Sequence, residues 1–122
     1  MACDYWSSMR IINNTSSVVI VEIDFNEKIP DFGKKVTRRF ADQGFSSENI
    51  HLIDSTDLLY RITLKTKEEL EIAANFNSHP PKIDHLQKIR IIEPYESELE
   101  GEEEIRSAFK ENAKWSYELR LD

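Results

Sequence analysis

The sequence predicts an α+β fold, and three observations predict it. Four short segments alternate apolar and polar residues, two others repeat their apolar residues at helical spacing, and between residues 17 and 92 they run strand, helix, strand, strand, helix, strand. That order is the βαββαβ, ferredoxin-like plan, in which two helices cover one face of a four-stranded antiparallel sheet. An N-terminal strand and a C-terminal helix–strand extension complete the expectation.

The first core strand is read over residues 17–25, where Val19, Val21, Ile23 and Phe25 share a face. Upstream, residues 8–12 suit a short strand joined to it through Asn13-Asn14, a pair tolerant of turn conformations, so a hairpin is expected there. Ile29, Phe32, Val36 and Phe40 then recur at helical spacing, with Pro30 suited to open a helix and Gly44 to close it. The outward face of that helix carries Lys34, Lys35, Arg38 and Arg39. Residues 49–53 and 58–65 read as a hairpin around Asp54-Ser55-Thr56-Asp57. Thr66 with Glu69 forms a capping-box pattern, and Leu70, Ile72, Ala73 and Phe76 supply the buried stripe of the second helix. Residues 86–92 form the fourth core strand. Ile105, Ala108 and Phe109 mark a third helix, and Trp115, Tyr117, Leu119 and Leu121 alternate in a final strand.

A length of 122 residues is that of one domain, with a core over 17–92 and an acidic extension over 93–122. Hydrophobic residues at 39% exclude a disordered chain. The longest apolar run, Val18 to Val21, is far short of the ~20 residues a membrane helix needs, and the first residues lack a secretory pattern, so a cytoplasmic location without membrane attachment is expected. Cys3 has no partner for a disulfide.

The formal charge of −7 is concentrated in residues 93–122, which hold 10 acidic and 4 basic residues. That balance argues against direct binding to nucleic acid, in spite of the basic helix face. The open sheet face also lacks the stacking aromatics of an RNA-recognition domain, presenting Ile20, Leu59, Arg61 and Thr63 instead. Residues Glu93 to Glu104 hold seven glutamates and no base. Glu96, Glu98, Glu100, Glu102, Glu103 and Glu104, with Tyr95 and Leu99 as apolar anchors among them, form the candidate partner-binding surface. Carboxylates arrayed in this way steer association with a basic groove, so the partner read from the sequence is a basic protein, with a nucleic-acid enzyme as one such class.

No phosphate loop, nucleophile elbow or cofactor motif is present in the sequence, and no cofactor or metal is expected. His79, Asp84 and His85 cluster around two prolines at spacing that suits a structural loop better than a metal site. The leading expectation is a noncatalytic protein-interaction domain of the inhibitor, antitoxin, immunity or phage counter-defence kind. Glu22-Ile23-Asp24-Phe25 loosely resembles the first-strand pattern of Cas2-type ferredoxin-like nucleases, which implies the alternative of a metal-dependent nuclease using Asp24. A dimeric small-molecule-sensing domain is the third reading. Val18, Ile20, Ile53 and Leu59 on the open face would need cover, for which a homodimer is one solution.

Overall fold

The computed structural model describes residues 6–25, 38, 40–45, 49–54, 58–76, 83, 86–93, 95–113 and 115–122. Most of these lie in strands and few in helix. Nine strands are described: β1 (Trp6–Asn13), β2 (Val19–Phe25), β3 (Ile50–Asp54), β4 (Leu59–Leu64), β5 (Glu69–Phe76), β6 (Leu86–Glu93), β7 (Ser97–Glu100), β8 (Lys110–Ala113) and β9 (Ser116–Leu121). They form a four-stranded sheet in the order β5-β1-β9-β8 and a five-stranded sheet in the order β3-β4-β2-β6-β7. The chain is therefore a mostly-β protein of two sheets, and the expected ferredoxin-like α+β fold is corrected.

The decisive difference is β5. The segment expected to be the second helix is a strand, antiparallel to β1 in the other sheet. Met9 is opposite Ala73 and Arg10 opposite Glu71, so Ile72 is an extra residue, a β-bulge. The bulge buries Ile72 and Ala73 together, after Leu70. A bulged strand thus reproduces the spacing of an amphipathic helix. Glu68, within the presumed capping box, instead accepts from the backbone N–H of Lys65 across a turn, at 2.6 Å.

The four strands expected over residues 17–92 do form and pair in one sheet, with β3 and β4 as the expected hairpin. The expected first helix lies mostly outside the described residues, as do Lys34, Lys35 and Arg39. Arg38 and Phe40–Asp42 are helical, and Gly44, at φ 95°, closes that turn with its N–H on the Ala41 carbonyl.

The expected β1–β2 hairpin is also corrected, since the two strands belong to different sheets. Asn13 is the cause. It is wholly buried where the chain passes from one sheet to the other, and its side-chain amide donates to the carbonyls of Ser17 (2.8 Å) and Leu64 (3.0 Å). Its Oδ1 accepts from the backbone N–H and the hydroxyl of Thr15. The β4–β5 turn crosses at the same corner, where Asn13 exchanges backbone hydrogen bonds with Lys67 and Glu68.

Both sheets contribute to a single hydrophobic cluster. Met9, Ile11, Leu70, Ile72 and Leu121 enter it from the four-stranded sheet, and Val21, Ile23, Ile62, Leu64, Ile89 and Ile91 from the five-stranded one. Phe25, Phe40 and Tyr60 meet edge to face or tilted at one side of it, with ring centroids 5.7–6.3 Å apart. Residues 93–122 supply β7, β8, β9 and a helix over Glu102–Ala108, and Ile105, Phe109 and Leu121 belong to the common core.

Sheet edges are open templates for further pairing, and β5 shows one way of blocking that. The Gln43 side-chain amide donates to the Glu71 carbonyl (3.0 Å) and accepts from its N–H (2.8 Å), mimicking a strand partner. Gln43→Ala should lower stability by about 1–2 kcal/mol, the net value of two neutral hydrogen bonds. It should also speed amide exchange at Glu71 specifically; unchanged protection there would refute the capping role.

Candidate functional site

The outer face of the five-stranded sheet is organised by register. Antiparallel pairing places His51 opposite Arg61, Arg61 opposite Glu22, Glu22 opposite Arg90 and Arg90 opposite Glu98. One transverse row thus crosses all five strands with charges that alternate from Arg61 onward. Glu22, at its centre, has a side chain only 5% exposed. Its Oε2 accepts from Arg61 Nη2 (2.6 Å) and Nε (3.0 Å), and its Oε1 from Arg90 Nη1 (3.3 Å). A buried carboxylate needs such partners, because desolvation without them costs several kcal/mol. A second row runs Asp24, Lys88, Glu100. The other sheet repeats the device, with Glu71, Arg10, Glu118 and Lys110 as successive cross-strand neighbours.

The acidic segment forms one edge of this arrangement. β7 is the terminal strand of its sheet, and all seven glutamates from Glu93 to Glu104 are exposed. Glu98 lies 3.6 Å from both Lys88 Nζ and Arg90 Nε. At Gly101, with φ 85°, the chain turns from the strand into the Glu102–Ala108 helix, and the Gly101 N–H bonds the Gln87 carbonyl. Glu102, Glu103 and Glu104 occupy the first turn of that helix, where the dipole favours anions. Glu102 pairs with Arg106 one turn on at 3.1 Å. Tyr95 is 51% exposed beside the tract, whereas Leu99 is half-buried and packs against the core.

Glu22, Arg61 and Arg90 escape a reading based on alternation alone. Alternation places them on the open face, but their juxtaposition depends on strand order and register. The β7 strand left a signal in the Glu98-Leu99-Glu100 alternation, hidden by its charge.

The nuclease alternative rested on a topology that the chain does not adopt. Asp24 has Leu59 and Lys88 as its cross-strand neighbours, and Glu22, two residues away, is held by two guanidiniums. His51 is exposed at the end of its row, while His79, Asp84 and His85 lie outside the described residues. Among the described residues, no group of three His, Cys, Asp or Glu side chains is placed to hold a metal ion, and no helix is long and apolar enough to cross a membrane. The Tyr117 phenol is held above its ordinary value by burial first and by the Glu111 carboxylate second.

Comparison with known proteins finds no counterpart: no family model, no curated protein and no solved structure matches the chain. What the fold and the site define by themselves is a class, a two-sheet β protein whose outer faces are charge ladders and whose larger sheet ends in an acidic edge.

Proposed function

We propose that the protein is a noncatalytic interaction domain that binds a basic partner through the acidic edge formed by β7 and the start of the Glu102–Ala108 helix. The observation that carries this reading is the exposure of all seven glutamates from Glu93 to Glu104. Glu98 and Glu102 are partly neutralised by Lys88, Arg90 and Arg106. The surplus charge therefore rests on Glu93, Glu96, Glu100, Glu103 and Glu104, with Tyr95 as the apolar contact. Such a surface accelerates encounter with a cationic groove and competes with phosphates for it, which is how an acidic protein inhibits a nucleic-acid enzyme.

The test is capture of partners from lysate at low and high salt, with the contact mapped by crosslinking. Retention at low salt, lost at high salt, with crosslinks at Tyr95 to Glu104, is the expected result. Glu→Gln changes at 96, 100, 103 and 104 together should slow association about tenfold or more. Salt-insensitive retention unaffected by these changes would reject the proposal.

A further inference from the structure

The acidic edge is also an open strand edge, and its register fixes which backbone groups it offers. Gly101 donates its N–H to the Gln87 carbonyl, and the opposed residues that follow are Lys88 with Glu100, Ile89 with Leu99, Arg90 with Glu98 and Ile91 with Ser97. Antiparallel partners exchange hydrogen bonds at every second pair, so Leu99 and Ser97 bond to β6. Glu98 and Glu100 therefore turn their N–H and C=O groups outward, away from β6. Among the described residues, no hydrogen bond reaches those groups. The same two residues end the charged rows of the outer face, one running Arg61, Glu22, Arg90, Glu98 and the other Asp24, Lys88, Glu100. Both rows alternate in sign, and both stop on a carboxylate. Lys88 and Arg90 share Glu98 at 3.6 Å, and among the described residues no cation pairs with Glu100.

We propose that the partner of the acidic edge docks as a sixth strand. An extended segment lies antiparallel along β7, with a lysine or arginine opposite each of Glu98 and Glu100 and an apolar residue between them, opposite the half-buried Leu99. This rests on the acidic edge being the binding surface, and adds the conformation and the sequence pattern of what binds there. Charge selects the occupant. Opposite charges facing across a strand pair stabilise it and like charges oppose it, so the edge rejects a second β7, which would set Glu98 against Glu100. The backbone selects an extended segment over a helix, whose own N–H and C=O groups are bonded internally and would leave those of Glu98 and Glu100 to water. Antiparallel addition continues the pattern of β3, β4, β2, β6 and β7. In that alignment each cation also falls in a hydrogen-bonded pair, so one residue supplies both the backbone exchange and the charge contact.

The probe is a short synthetic peptide alternating lysine and valine, mixed with the full chain at physiological salt. Two further copies carry backbone N-methyl groups, one on the lysines and one on the valines, so that charge is kept and only the donors are lost. The unmodified and valine-methylated peptides should bind alike, and the lysine-methylated one at least about tenfold more weakly. In the unmodified complex, amide exchange should slow at Glu98 and Glu100 more than at Leu99, whose N–H is already bonded to β6. Equal affinity of all three peptides, with exchange at Glu98 and Glu100 unchanged, would overturn strand addition and leave the edge as a charged surface only. Binding by none of them, beside salt-sensitive capture of a lysate protein crosslinked at this edge, would overturn it as well. Failure of both the peptides and the capture would overturn the acidic-edge reading together with this one.

Discussion

Asn13→Ala is expected to destabilise the protein by about 2–4 kcal/mol, because it removes four neutral hydrogen bonds at a wholly buried position. The side chain uses its full capacity, two donors and two acceptors, at the corner where both sheets meet. Leu64, whose carbonyl takes one of the donated protons, is itself wholly buried, so water offers no easy replacement. Urea unfolding should show a lower midpoint at unchanged slope, since the surface exposed on unfolding barely changes. Asn13→Asp keeps the shape and the acceptors but loses both donors and sets a carboxylate against two carbonyls. It should be at least as damaging at neutral pH and partly relieved in acid, where protonation restores one donor. A loss below about 1 kcal/mol for the alanine variant would mean that the corner is held by the chain crossing rather than by this amide.

The second large effect is expected at the Glu22 row. Arg61→Ala removes the two shorter bonds to a carboxylate that is 5% exposed, leaving Arg90 at 3.3 Å as its remaining cation. Breaking a fully buried ion pair costs about 3–5 kcal/mol, but Arg61 is itself 45% exposed and its removal admits water. A loss of about 1.5–2.5 kcal/mol is the corresponding expectation. Glu22→Leu should cost much less, since it removes the desolvated charge and lets both guanidiniums turn to solvent. The double variant Arg61→Ala with Glu22→Leu should therefore be more stable than Arg61→Ala alone. Additive losses in that cycle would show that the two side chains act independently, against the geometry.

The legibility of the fold follows the length scale of the signal. β2, β4, β6 and β9 were readable because one face of each is apolar at every second position, as in Val19, Val21, Ile23 and Phe25. β5 was not, because the bulge at Ile72 breaks its alternation and Glu, Leu and Ala favour helices in isolation. Pairing with β1 overrides that preference. The partition of strands between two sheets is set by long-range pairing, which no local pattern encodes; Asn13 read as a turn residue, and it is a buried linchpin. The acidic tract was plain in the sequence, and its placement on a sheet edge was not. Leu99 shows the limit from the other side, an apolar residue among glutamates that serves its own core.

The parallel contact between Trp6–Asn13 and Ser116–Leu121 has a kinetic meaning. These segments are separated by nearly the whole chain, so the smaller sheet closes only after a rare encounter whose entropic cost precedes any gain. Until then β1 has one flank bare and Met9 and Ile11 half sheltered. Acquisition of the native state should consequently be slow for a protein of this size, and an incomplete intermediate, with its central strand open on one side, is the species most prone to aggregate.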